Sequence, residues 1–146
     1  MANYTGGKTA AVDRYLDSTL DSVDAAERLA LEFASVAGFG EDERDAIGMA
    51  VRECMVNAVV HGNQYNARKK VKLSIATTPD RLTVKIADEG AGFDLDSLPD
   101  PLAQENLLNQ SGRGIFLIRA FMDEFDIRRL EKSGTEATLV KYRVSK

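Results

Sequence analysis

The chain holds 146 residues, 44% apolar and 29% charged, with 19 basic against 23 acidic side chains and a net charge of −4. That length fits one domain around one core, residues 1–146, with no room for a second. A net negative chain whose acids are spread out has no electrostatic reason to coat nucleic acid or an anionic membrane. One cysteine (Cys54) and one histidine (His61) can make neither an internal disulfide nor a Cys/His zinc site. Residues 1–8 are polar and glycine-rich with no apolar signal core, and no apolar run approaches the roughly 18 residues of a membrane span. A cytoplasmic protein with no nucleic-acid or membrane partner is expected.

In chain order, small and apolar residues interleave from Thr9 to Leu16, a strand pattern. Val23, Ala26, Leu29, Ala30, Phe33, Ala34 and Ala37 then recur at helical spacing and predict an amphipathic helix over about 20–37, ended by Gly38 and Gly40. A second helix is expected to start among the acids of Glu41 to Asp45, which suit the positive end of a helix dipole. It runs through Ile47, Val51, Met55, Ala58 and Val59 to about His61, with Gly62 expected to close it in a left-handed conformation. Val71, Leu73 and Ile75, then Leu82, Val84 and Ile86, alternate with polar residues around Thr78-Pro79-Asp80 and predict a hairpin. The stretch Asp88 to Gly112 has no periodicity. A loop of about 20 residues in so small a domain is usually functional or disordered. Ile115, Ile118, Phe121 and Met122 mark a third helix, and 125–130 and 136–144 close the chain as two strands around Ser133-Gly134. The order β-α-α-β-β-loop-α-β-β implies an α+β fold, a two-layer sandwich whose mostly antiparallel mixed sheet is covered on one face by helices.

Three segments carry candidate chemistry. Glu53 and Asn57, four apart, share one face of the second helix beside its apolar stripe, with His61 a turn further on. A solvated polar stripe, a helix-capping histidine and a buried Cys54 are the plainer interpretations of this segment. Asp88-Glu89-Gly90-Ala91-Gly92-Phe93-Asp94 follows an apolar strand directly. Its glycines allow a sharp turn and close approach of a flat ligand, and an Asp at a strand end can accept a hydrogen bond from an exocyclic amine. Calcium-loop spacing fails here, since Leu98 stands where a ligand is needed. Ser111-Gly112-Arg113-Gly114 opens the third helix, where free N–H groups suit a phosphate. Gly6-Gly7-Lys8-Thr9 lacks the leading glycine and preceding strand of a P-loop.

Taken in order, these segments resemble the GHKL ATPase superfamily and its Bergerat ATP-binding fold. Residues 52–62 are similar to its N box, 88–93 to its G1 box, Gly112-Arg113-Gly114-Ile115 to its G2 box, and Gly134-Thr135 to the Gly-Thr near its last strand. Within it, residues 57–63 and 114–123 are most similar to the anti-sigma factor serine kinases. The resemblance implies that the chain binds ATP with Mg²⁺, dimerises with a second copy, holds a sigma factor, and phosphorylates a serine of a small anti-anti-sigma antagonist protein. It implies that Glu53 is the catalytic base and Asn57 the Mg²⁺ ligand. Asp88 would bond the adenine amine with Thr135 in support through water, Gly90 and Gly92 would shape the base pocket, and Gly112, Arg113 and Gly114 would receive the phosphates. Residues of about 95–111 would form a lid. Kinases of this branch often carry a basic residue just before the G2 glycines. Here 95–111 holds Asp96, Asp100 and Glu105 but no Lys or Arg, with Arg113 as the nearest cation. A nucleotide-gated binding switch without kinase activity and a detached histidine-kinase catalytic domain are the alternatives.

Overall fold

The computed structural model describes residues 9–90 and 112–143. Five strands form one sheet: β1 (Ala10–Asp17), β2 (Lys70–Thr78), β3 (Arg81–Ala87), β4 (Glu124–Arg129) and β5 (Thr135–Tyr142). Their order across it is β1-β2-β3-β5-β4, and each neighbouring pair is antiparallel. The mixed sheet expected from sequence is thus uniformly antiparallel among the described residues. β2–β3 and β4–β5 are hairpins, and the helical excursion from β1 returns reversed onto β2. The chain after β3 continues to β4 at the sheet edge, two places away, with β5 filling the place between.

Three helices are described: α1 (Leu20–Val36), α2 (Glu41–Val56) and α3 (Gly112–Phe121). Thr19 caps α1 by accepting from Ser22 N at 3.3 Å. Glu43 reaches back to Gly40 N at 3.1 Å, and the acids Glu41, Asp42 and Glu43 fill the first turn of α2 as its dipole favours. Alternation decides which face of the sheet is covered. Val71, Leu73 and Ile75 of β2 and Leu82, Val84 and Ile86 of β3 are buried, while Lys72 and Lys85 between them are exposed. Against that face pack Ala26, Ala30 and Ala34 of α1 and Ile47, Val51 and Met55 of α2. The alanines let α1 lie close; truncating a filled position such as Leu73 or Met55 to Ala would cost about 2–5 kcal/mol. Arg52 of α2 ties the two helices by donating to Asp24 Oδ1 and Glu27 Oε1 of α1 at 2.8 Å each.

One expectation fails at the end of α2. The helix does not close at Gly62 in a left-handed conformation. From Asn57 to Gly62 it widens into a π-helical turn, with Asn63 N donating to Ala58 O at 2.8 Å. The left-handed residues come later, at Gln64 (φ 52°) and Tyr65 (φ 59°). Gly62 serves close packing instead.

Candidate functional site

The wider turn carries Asn57, His61 and Gly62 to the end of the sheet where β3 stops and β5 starts. There Asp88 N donates to Thr135 O at 2.9 Å, prolonging the ladder by one rung past Ala87 and Glu136. An open cleft lies between these parts. Cys54, Asn57, Ala58, His61 and Gly62 form its helical wall. Ile86, Ala137, Phe125 and Ile127 form the sheet wall, and Asp88 and Thr135 lie at the junction.

Asp88 is 8% exposed. Its Oδ1 accepts from Gly90 N at 3.0 Å and from Thr135 N at 3.2 Å. Neither bond uses Oδ2. Burial pushes the Asp88 carboxyl above its ordinary value, and the two backbone N–H groups pull it only part of the way back. Beside it, Thr135 Oγ1 is buried with no hydrogen-bond partner among the described residues. A buried hydroxyl left alone costs about 1–3 kcal/mol and points to a ligand or bound water that completes it.

The carboxylate is held by close backbone packing. A Cβ at Gly90 would fall 1.8 Å from Gly62 O, so no side chain fits between the turn after β3 and the π-helical turn. Asn63, buried behind this contact, accepts from Glu89 N at 2.8 Å through Oδ1. Cys54 is fully buried in the helical wall. Desolvation pushes its thiol up to about 12, with Asp88 and Glu53 adding to the shift, so it is an apolar wall rather than a nucleophile.

Of the residues singled out by sequence, Asn57, Asp88 and Thr135 come together at the cleft, with Gly90 buried against Gly62. Glu53 lies one turn before Asn57, half-buried, and is not among the residues lining the cleft. Gly112 and Gly114 lie in the first turn of α3, as does the backbone of Arg113. Gly92 and the whole expected lid, about 95–111, fall outside the described residues. The sequence did not single out the walls Phe125, Ile127 and Ala137 or the tie made by Asn63. The alternation Phe125-Asp126-Ile127 carries a usable signal, because inward apolar residues on an edge strand need something to face.

A cleft of this kind can accept a group that offers a hydrogen-bond donor to Asp88. Apart from Asn57 and His61 its walls are apolar, and among the described residues Asp88 Oδ2 takes no part in the carboxylate's two backbone bonds and Thr135 Oγ1 has no partner. A family model described as the histidine kinase-like ATPase domain matches residues 16–141. The chain is similar to a serine-protein kinase, RsbW, of Bacillus subtilis, 32% identical over 115 residues that make up 75% of this chain and 71% of that one. It is also similar to an anti-sigma F factor of Bacillus cereus, 35% identical over 103 residues, 69% of this chain and 70% of the relative. Among solved structures, the RsbU and RsbW domains of a Mycobacterium tuberculosis protein superpose with a TM-score of 0.64 at 18% identity. The superposition covers 91% of this chain and 32% of that longer one, and it shows a shared fold.

Proposed function

Because this chain belongs to the histidine kinase-like ATPase domain family, we propose that it binds Mg²⁺-ATP in the cleft, holds a sigma factor, and phosphorylates a serine of a small antagonist protein. The observation that carries this reading is the pairing of Asp88 with Thr135. A free Oδ2 accepts from the adenine amine, and the unpartnered Thr135 Oγ1 completes the contact through a water. Guanine presents a carbonyl where adenine presents its amine, so a carboxylate there selects against it. Asn57 stands on the cleft wall and offers the side-chain carbonyl suited to a Mg²⁺ ion that keeps most of its waters. That ion, when bound, neutralises charge on the phosphates. Gly112 and Gly114 open α3, whose first-turn N–H groups suit phosphate oxygens. A single domain, a lid over about 95–111 and a homodimer complete the reading. Among the described residues, no helix is long and apolar enough to cross a membrane.

A second reading, a nucleotide-gated binder that transfers no phosphate, has its own support. Glu53 does not line the cleft, and residues 95–111 carry no Lys or Arg. Incubation with labelled ATP, a candidate antagonist and the sigma factor separates the two. Label on an antagonist serine supports the kinase. ATP-dependent sigma-factor binding without label supports the switch. Absence of ATP binding in calorimetry removes both.

A further inference from the structure

Asn63 belongs to none of the residues expected to touch nucleotide, yet every polar atom of its side chain is used. It is 2% exposed. Nδ2 donates to Ser18 Oγ at 2.9 Å and to Lys70 O at 3.1 Å, and Oδ1 accepts from Glu89 N at 2.8 Å. Ser18 in turn donates to Lys69 O, and Lys70 N donates to Glu89 Oε2 at 2.6 Å. One amide thus joins three pieces of chain far apart in sequence: the β1–α1 junction, the start of β2, and the turn that holds Asp88.

We infer that Asn63 is a positioning residue for the base pocket, fixing Asp88 through the backbone of Glu89. The inference rests on the nucleotide reading above. Glu89 is the residue between Asp88 and Gly90, and Gly90 N is one of the two donors that orient Asp88 Oδ1. If Glu89 N is released, the turn loses its link to the helix end, and Gly90 can draw away from Gly62 O. Both movements shift the acceptor Oδ2. An alternative, that Asn63 merely glues β1 and β2 together, uses only its Nδ2 bonds. The two arms are chemically separable, because the Glu89 arm needs an acceptor and the Ser18 and Lys70 arms need a donor.

The test compares wild type with Asn63→Ala, Asn63→Asp and Ser18→Ala by calorimetric ATP titration, thermal melting, and hydrogen exchange at the Glu89 amide. Asn63→Ala removes both arms and is expected to lose Glu89 protection and at least about tenfold in ATP affinity, the scale of one hydrogen bond. Asn63→Asp keeps an acceptor, so it is expected to recover protection and most of the affinity while melting lower than wild type. Ser18→Ala damages only the donor side and is expected to lower melting with ATP affinity unchanged. If Asn63→Ala does not fold, Asn63→Ser, too short to reach Glu89 N, takes its place. Affinity falling in step with melting temperature across all variants overturns the inference, as does wild-type affinity in folded Asn63→Ala. Asp88→Asn in the same series keeps the two claims apart. If it weakens ATP binding while the Asn63 variants do not, only the positioning role falls. If wild type binds no ATP, both fall.

Discussion

A Cβ on Gly62 would lie 2.3 Å from Oδ2 of Asp88, so the π-helical turn and the carboxylate at the end of β3 leave no space between them. Contacts under about 3 Å require something to move, and here the moving part is the acceptor itself. Gly62→Ala is expected to push Asp88 away from Gly90 N and Thr135 N, weakening ATP binding at least about tenfold and lowering stability by about 1–3 kcal/mol, as overpacking does. Calorimetry and chemical denaturation on one preparation give both numbers. Unchanged affinity in a destabilised mutant would show that Asp88 does not meet the ligand.

The same carboxylate predicts a pH dependence. Burial raises its folded-state pKa above 3.8. Because the group is an acid with a raised value, the folded state binds the proton more tightly than the unfolded one. Its contribution therefore favours folding as pH falls through the raised value toward 3.8, and opposes folding above it. Ligand binding runs the other way. An amine donor prefers the carboxylate, so adenine nucleotide affinity should fall as pH drops through the raised value, earlier than an ordinary aspartate would allow. Asp88→Asn is expected to cost about 1.5–3 kcal/mol of binding at neutral pH and to flatten the protein's share of this profile. Titrating wild type and mutant with the same nucleotide cancels the ligand's own ionisation. Parallel pH profiles for the two proteins would remove Asp88 from the contact.

Much of this was legible before any coordinates. The alternation of Leu82, Val84 and Ile86 placed a strand directly before Asp88, and the helical spacing of Ile47, Val51 and Met55 put Asn57 beside a core face. Periodicity reports which side of an element is buried, and these elements bury one side. Gly62 was misjudged because a glycine after a helix fits two needs, a left-handed φ or an absent Cβ, and only the packing partner decides between them. That partner, Asp88, is 26 residues away in sequence. Asn63 escaped notice for a related reason. A buried amide looks like any loop Asn until its three partners, from three separate segments, are brought together. The uniform antiparallel sheet was open in sequence too, because the helical returns between β1 and β2 and between β3 and β4 fix no direction by themselves.

Cys54 lines the cleft but is expected to be unreactive. With its thiol pushed up to about 12, only on the order of one molecule in 10⁴–10⁵ holds a thiolate near neutral pH, and the thiolate is the reactive form. Iodoacetamide should leave the native protein unmodified over hours and label it promptly in denaturant, as read by intact mass. Rapid native labelling that ATP suppresses would mean the helical wall opens more readily than its packing suggests.

Asn57 is expected to set the Mg²⁺ dependence of binding. It lines the cleft at the start of the widened turn. Asn57→Ala removes a side-chain oxygen from the position where phosphates would lie, and Mg²⁺ uses few protein ligands, so losing one matters. ATP affinity measured with Mg²⁺ and with EDTA should differ strongly in wild type and much less in the mutant. A mutant that keeps the full difference would show that another group holds the ion.

Glu53 decides between kinase and switch. It sits one helical turn before Asn57, half-buried and outside the residues lining the cleft. A serine hydroxyl is a weak nucleophile until its proton has an acceptor, and Glu53 is the carboxylate placed to serve if the antagonist's serine approaches along the exposed side of α2. That placement makes a sharp demand: the base should matter for transfer and not for nucleotide binding. Glu53→Gln keeps shape and removes basicity. It should leave Mg²⁺-ATP affinity near wild type, because Glu53 is no part of the cleft wall. It should lower single-turnover transfer by roughly 10²–10⁴-fold, the usual range for general acid–base help. Sigma-factor binding should persist. The measurement is labelled-phosphate transfer to the antagonist at saturating ATP, with affinity determined on the same sample. Wild-type transfer rates in Glu53→Gln would exclude Glu53 as the base. If wild type itself transfers nothing to an antagonist it binds, the absence of any Lys or Arg from 95–111 becomes the deciding feature, and the protein works as a nucleotide-gated binder.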